Sequence, residues 1–158
     1  MFGKLEHELE LDVAASEAWN LFGTIEIAKF VEKEMPQVFQ KVELIEGDGG
    51  LGTVLKLTFV PGIPGPPSYK EKFTKIDNEK RIKETEVVEG GYLELGFTLF
   101  RVKFEVIEKG EDSSIIKSTI EYELKEEHAA NASLVSTQIL ANIAQLAKNY
   151  LNKNKAPK

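Results

Sequence analysis

Hydrophobic and polar residues follow two different periods along this chain. Apolar and charged residues alternate over residues 5–13, which predicts a strand with one wet, acidic face. The spacing then becomes helical, which predicts a short helix over residues 14–22 and a second over residues 25–34, limited by Pro36. Two short helices after a single strand indicate a V-shaped support and not a strand–helix–strand crossover.

Strand-like alternation returns in the middle of the chain. It predicts strands over residues 38–45, 54–60 and 97–106, a hairpin over residues 69–83 that continues to about residue 88, and one last strand. On the 97–106 strand the predicted inward residues are Thr98, Phe100, Val102, Phe104 and Val106. On the last strand they are Ile116, Ser118, Ile120, Tyr122 and Leu124.

The spacing becomes helical again from residue 129 to residue 151. The predicted apolar stripe consists of Leu134, Ile139, Ile143, Leu146, Ala147 and Tyr150. At ~1.5 Å per residue this helix would be roughly 30 Å long, and its apolar face must lie on the sheet. The element order therefore predicts an α+β fold of consecutive antiparallel strands with helices on one face, and a strongly curved sheet wrapped around the long C-terminal helix can leave a cavity between them. A chain of 158 residues is most simply one domain, over residues 1–158.

Composition and charge exclude several functions. The net charge of −6 and the lack of a basic cluster argue against a nucleic-acid partner. The chain has no cysteine, which excludes disulfides, thiolate catalysis and cysteine metal sites. Its two histidines, His7 and His128, lie far apart in sequence, so we expect no metal site. No apolar run approaches the ~18 residues of a membrane span, and the N-terminus lacks the apolar segment of a signal peptide. We therefore expect a cytoplasmic protein with no membrane partner.

A glycine-rich segment, residues 46–53, precedes the predicted strand 54–60. A phosphate-binding loop leads from a strand into the N-terminus of a helix. Because a strand follows this segment, we interpret its glycines as positions of positive φ in a connection between two strands.

The hairpin over residues 69–83 carries the candidate chemistry. Tyr69, Glu71 and Phe73 alternate and therefore share one strand face, and Lys83 follows after the turn. A phenol, a carboxylate and an ammonium group would then enter one cavity. The alternative is that Glu71 and Lys83 are ordinary solvated strand charges, because Glu and Lys are seldom fully buried unless they are paired.

The length of the turn decides between these interpretations. A two-residue loop over residues 78–79 would turn Lys83 away from the face of Glu71. A three-residue loop over residues 77–79 would pair Phe73 with Lys83 and bring the trio together. We predict a loop with an odd number of residues.

The whole chain resembles the plant pathogenesis-related class-ten and birch-pollen-allergen family. The matching signatures are the glycine loop over residues 45–53 and the segment Glu89-Gly90-Gly91-Tyr92-Leu93. This resemblance implies a helix-grip (START-like) fold, with a seven-stranded sheet, two short helices at one end, a long C-terminal helix and a large apolar pocket.

Within that family the chain is most similar to the norcoclaurine synthases. The matching stretches are residues 7–10, 58–62, 69–73, 81–83 and 89–96. Those enzymes condense dopamine with 4-hydroxyphenylacetaldehyde in a Pictet–Spengler reaction that needs no cofactor. The resemblance implies that Lys83 is the general acid, Glu71 the base and Tyr69 a hydrogen-bond donor.

The resemblance also implies a set of residues that line the pocket. They are Val31, Met35, Phe39, Leu57, Phe59, Phe73, Val102, Phe104 and Ile143. The synthases carry an aspartate at the position of Val102. In this chain an apolar side chain therefore takes the place of one polar group of the pocket. We therefore keep two functions open, a Pictet–Spengler condensation of a dopamine-like arylethylamine with an aldehyde and a non-catalytic carrier of phytohormones, flavonoids or other apolar metabolites. Either function implies a small apolar or aromatic partner and a monomer or weak dimer.

Overall fold

Seven strands form one antiparallel sheet in the computed structural model of the protein, which describes residues 1–154. The strand order is β1-β7-β6-β5-β4-β3-β2, so all neighbours except β1 and β7 are consecutive in the chain. The strands are β1 (Phe2–Leu11), β2 (Phe39–Glu46), β3 (Val54–Phe59), β4 (Ser68–Asp77), β5 (Ile82–Gly90), β6 (Phe97–Gly110) and β7 (Ser113–Leu124). The helices are α1 (Ala15–Phe22), α2 (Glu26–Glu34) and α3 (Gln138–Lys153). The predicted α+β fold class is confirmed.

The apolar faces of the three helices close one side of the sheet. The helix α1 packs against β6 and β7, α2 packs against β2, and α3 packs against β1 and β7. Buried side chains from all of these elements join in one core, to which α3 contributes Leu140, Ile143, Ala144 and Ala147. The sheet and helices thus enclose the space in which the candidate site lies.

The long helix begins later than predicted. Residues Glu126–Leu134 form short 3-10 turns that are interrupted at His128, and α3 starts only at Gln138. Polar side chains explain the break, because Ser133 donates to the Ala130 carbonyl at 3.0 Å and Ser136 accepts from the Gln138 amide at 3.1 Å. The predicted stripe is therefore wrong at Leu134, which precedes the helix, and at Tyr150, which is 45% exposed.

One residue of β6, Thr98, was wrongly predicted to face inward. The pairing register of β6 with β7 shifts between Phe97 and Leu99. This irregularity exposes Thr98 and leaves Phe97 only 2% exposed in the core. The predicted inward residues further along the strand, from Phe100 onwards, lie on the inner face.

Candidate active site

The turn between β4 and β5 differs from the predicted one. Asp77 pairs with Ile82, so that four residues, 78–81, connect the strands. The prediction of an odd loop is therefore wrong. With this even loop and an unbroken ladder, Lys83 and Glu71 would lie on opposite faces of the sheet.

A bulge in β4 brings the two residues back to one face. Phe73 pairs with Thr85 and Lys75 pairs with Glu84, so that no residue of β5 lies opposite Thr74 in the strand register. One extra residue on one strand reverses the side-chain alternation beyond it. The predicted common face for Glu71 and Lys83 thus arises from the bulge at Thr74 and not from the length of the loop.

Hydrogen bonds hold the turn in place and tie it to α1. The Asp77 carboxylate accepts from the Glu79 amide at 3.1 Å and from the Lys80 amide at 2.9 Å. The Trp19 indole N–H of α1 donates to the Asn78 side-chain oxygen at 2.9 Å. Trp19 is 7% exposed, so this core residue of α1 also anchors the turn.

A cavity of about 120 Å³ lies between the inner face of the sheet, α2 and α3. The predicted site residues on its wall are Tyr69, Glu71, Lys83, Val31, Phe39, Leu57, Phe59, Phe73, Val102, Phe104 and Ile143. Met35 is the exception, because it was predicted on the cavity wall and is not among the residues that line the cavity. It lies just beyond α2, where the chain turns sharply and directs this side chain, 1% exposed, into the packed core.

Sequence reasoning missed ten residues of the cavity wall. They are Ile27, Ala28, Leu55, Thr85, Tyr92, Phe100, Ile120, Ser136, Ile139 and Leu140. Strand alternation could have indicated Leu55, two residues from Leu57, and Thr85, two residues from Lys83. Ser136 lies in the connection to α3, and no periodic pattern marks it.

Lys83 is buried in the cavity wall with 2% of its surface exposed. Its ammonium nitrogen donates to the Thr24 carbonyl at 3.0 Å and lies 4.1 Å from the centre of the Phe73 ring. Burial lowers the pKa of Lys83 to about 8, and the negative charge of Glu71 opposes this change. The amine therefore titrates near neutral pH.

Glu71 lies partly buried on the same wall. The Thr85 hydroxyl donates to its Oε2 atom at 3.3 Å. Burial raises the pKa of Glu71, while the charge of Lys83 and the hydrogen bond from Thr85 act in the opposite direction. Among residues 1–154 the salt bridges do not include a direct pair between Glu71 and Lys83. Each hydrogen-bonds to a neutral group, and their charges interact along the same cavity wall.

Tyr69 lies beside this pair in a row of aromatic rings. Its ring centre is 5.5 Å from that of Phe59 and 5.9 Å from that of Tyr92. Burial raises the pKa of Tyr69, and the charge of Glu71 adds to this rise, so the phenol remains a hydrogen-bond donor at neutral pH. Gly91 permits the close packing here, because a Cβ atom at this position, with φ +56°, would lie 2.6 Å from Tyr69 Cβ.

Two other features are absent from the part of the chain that the structure describes. Residues 1–154 contain no group of three or more His, Cys, Asp or Glu side chains that could hold a metal ion. In the same part of the chain no helix is long and apolar enough to cross a membrane. The polar groups on the cavity wall are the Lys83 amine, the Glu71 carboxyl group, the phenols of Tyr69 and Tyr92 and the hydroxyls of Thr85 and Ser136.

Residues 1–154 match the pathogenesis-related protein Bet v 1 family. The chain belongs to this family. It is 47% identical to norbelladine synthase of Narcissus pseudonarcissus over 156 residues, which cover 99% of this chain and 96% of that protein. It is 40% identical to S-norcoclaurine synthase 2 of Papaver somniferum, over 96% of this chain and 66% of that longer protein.

Solved structures of other plant proteins superpose closely on the chain. Norcoclaurine synthase from Thalictrum flavum, in complex with dopamine and hydroxybenzaldehyde, has a TM-score of 0.89 at 39% identity and covers 99% of this chain and 90% of its own. Ginseng major latex-like protein 151 of Panax ginseng has a TM-score of 0.73 at 24% identity, over 99% of both chains, and shares the fold. These matches confirm the predicted resemblance and the helix-grip fold.

Proposed function

We propose that this chain catalyses a cofactor-independent Pictet–Spengler condensation of a dopamine-like arylethylamine with an aldehyde. The observation that carries the proposal is the placement of Lys83 and Glu71 on one apolar cavity wall without a direct ion pair between them. An acid and a base that neutralised each other in a tight pair would be poor proton carriers. Here each can exchange a proton with a molecule that lies between them.

The proposed roles follow the charge changes of the reaction. The first stage joins the amine and the aldehyde and expels water, and Lys83 as general acid gives a proton to the departing oxygen. A pKa of about 8 suits this task, because general acids work best when their pKa lies near the working pH. The ring of the amine then attacks the iminium carbon, and Glu71 removes the ring proton as base. Before that step its carboxylate stabilises the cation. Tyr69 donates a hydrogen bond to the reacting oxygen.

The relatives support this assignment. Norcoclaurine synthases are similar to the chain over nearly its whole length, and one of them binds dopamine and hydroxybenzaldehyde. Aromatic side chains around Tyr69 suit aromatic substrates of that kind. We further propose that the protein acts in the cytoplasm as a monomer or weak dimer.

A chiral assay with an arylethylamine and an aldehyde tests the proposal. We expect wild type to form an enantiomerically enriched tetrahydroisoquinoline, and Lys83→Ala to lose most of this activity. Lys72→Ala is the matched control, because Lys72 lies exposed on the outer face of the same hairpin. Product formation that is no faster than in the buffer blank, or a racemic product, would argue against the proposed activity for that pair of substrates.

The second candidate function is a non-catalytic carrier of apolar metabolites. Val102 favours it, because an apolar side chain replaces the carboxylate that the synthases are expected to carry on this wall. A carrier would gain thermal stability from its ligand, since ligands that bind only the folded state raise its melting temperature. A panel of phytohormones, flavonoids and arylethylamines, screened by melting temperature, separates the two functions when it is combined with the chiral assay.

A further inference from the structure

Lys83 is the one lysine on the cavity wall within residues 1–154. Its nitrogen lies beside open space of about 120 Å³, surrounded mainly by apolar and aromatic side chains. A cavity of about 150 Å³ lined by Leu, Ile and Phe is large enough to hold an aromatic ring. An aromatic aldehyde therefore fits beside the Lys83 nitrogen.

The contacts of Lys83 suit a neutral amine. An ammonium group has three N–H donors. Within residues 1–154 only the Thr24 carbonyl accepts a hydrogen bond from Lys83, while the Phe73 ring covers a second direction. The titratable groups that share the cavity are Glu71, Tyr69 and Tyr92. A neutral amine would keep its bond to Thr24 and would have a lone pair free for a ligand.

We propose that Lys83 forms an imine with the aldehyde substrate and that the substrate amine then displaces Lys83 by transimination. This inference rests on the proposed function and refines its first stage, in which Lys83 acts as the nucleophile and protonated Glu71 gives the proton that expels water. Buried lysines in apolar pockets are the usual amines of such chemistry, because they lose their proton more readily than exposed lysines.

The step balances in atoms and charge. The Lys83 lone pair attacks the aldehyde carbon, and a proton moves from nitrogen to oxygen to give a carbinolamine. Glu71, in its protonated form, gives a proton to the hydroxyl, water leaves, and the Lys83 iminium remains beside the Glu71 carboxylate. The substrate amine, in its neutral form, adds to the same carbon, and a proton moves from its nitrogen to the Lys83 nitrogen. The carbon–nitrogen bond to Lys83 then breaks, and its electron pair stays on Lys83. The substrate iminium and free Lys83 result, with no oxidation or reduction.

The pKa of Lys83 supports selective reaction at this residue. With a pKa of about 8, roughly one tenth of Lys83 is neutral at neutral pH. An exposed lysine with a pKa of about 10.4 has a neutral fraction roughly 200-fold smaller. The folded protein should therefore react with an aldehyde at Lys83 before its surface lysines react.

Reductive trapping tests the inference. The folded protein is incubated with hydroxybenzaldehyde and limiting cyanoborohydride, without amine, and the adduct is located by peptide mass spectrometry. We expect a mass gain equal to the aldehyde less one oxygen atom, with labelling at Lys83 roughly tenfold or more above that of exposed Lys72. Labelling in guanidinium, where every lysine is exposed, should lose this preference.

Two variants and the chiral product assay complete the design. Lys83→Met keeps a long apolar side chain and should remove the preferred label, while Lys72→Arg should keep it. Because the preferred site is mapped in wild type, the result does not depend on the folding of Lys83→Met. Enantiomerically enriched product without a preferred label at Lys83 would overturn the covalent step and leave the proposed function intact. A preferred label without product would support the covalent step and count against the proposed function.

Discussion

Thr85 on β5 lies directly opposite Val102 on β6, and both side chains line the cavity. Thr85 donates its hydroxyl to Glu71 on β4, whereas Val102 has no polar atom to offer. The expected aspartate of the synthases is therefore absent from this wall, and a neutral hydroxyl is the group that contacts Glu71. The protonation of Glu71 depends on this hydroxyl, on burial and on the charge of Lys83.

The Thr85 hydroxyl should act as a positioning group that holds the Glu71 carboxylate and lowers its pKa. Thr85→Val removes the donor with little change of shape, and the pKa of Glu71 should then rise further, because the hydrogen bond lowers it. We expect kcat/KM at neutral pH to fall roughly tenfold, the effect of one hydrogen bond to a charged group. The acidic limb of the pH profile should move to higher pH.

Thr85→Ser is the matched control for this prediction. It keeps the hydroxyl and loses one methyl group, so its pH profile should stay close to that of wild type. Equal shifts of the profile in both variants would mean that packing at residue 85, and not its hydrogen bond, determines the activity.

Strand alternation was sufficient to predict the common face of Tyr69, Glu71 and Phe73, but it could not place Lys83 beyond the turn. The residues from Tyr69 to Phe73 and the apolar runs on the later strands have a clear period of two. The bulge at Thr74 has no comparable signal, because threonine is an ordinary strand residue and the bulge depends on pairing with β5. A correct conclusion about Lys83 was thus reached from a wrong loop length.

The C-terminal helix shows a second limit of local patterns. Ala129, Ala130 and Ala132 favour a helix by propensity, yet they lie in 3-10 turns before α3. The hydroxyls of Ser133 and Ser136 bond to the nearby backbone instead, and this competition is hard to rank from sequence. The late start of α3 also affects the candidate site, because Ser136, in the connection before the helix, lines the cavity.

The bond between Trp19 and Asn78 should stabilise the hairpin turn on α1. Trp19→Phe and Asn78→Ala each remove it, and the double variant measures the coupling between the two side chains. We expect a coupling of about 1 kcal/mol in urea unfolding, typical of one neutral hydrogen bond. Additive losses in the double variant would show that this bond contributes nothing to stability.

The close approach of Gly91 to Tyr69 should make Gly91 sensitive to substitution. Gly91→Ala would place a Cβ atom 2.6 Å from Tyr69 Cβ and must move the phenol or the turn. Gly52→Ala is the control, because Gly52 also has a positive φ, +88°, but nothing lies within 4 Å of its added Cβ. Both variants should lose about 1 kcal/mol of stability from backbone strain, and Gly91→Ala alone should also lose activity. Equal activity in the two variants would show that the position of Tyr69 is unimportant.

The lowered pKa of Lys83 predicts how stability changes in alkaline solution. Between pH 8 and pH 10.5 the unfolded chain holds a proton on Lys83 that the folded chain has released. The free energy of unfolding should therefore rise with pH in this window, because stability increases wherever the unfolded state binds more protons. The total gain is on the order of 3 kcal/mol for a pKa difference of this size.

Lys83→Met isolates this contribution from the other groups that titrate in the same window. Tyr69 and Tyr92, whose pKa values burial raises, act in the opposite direction at high pH, but they are present in both proteins. The stability of wild type minus that of Lys83→Met, from urea unfolding at several pH values, should rise from about pH 8 and level off near pH 10.5. Lys72→Met should run parallel to wild type, since Lys72 is exposed. If the Lys83→Met curve also runs parallel to wild type, Lys83 is not held in an environment that disfavours its charge.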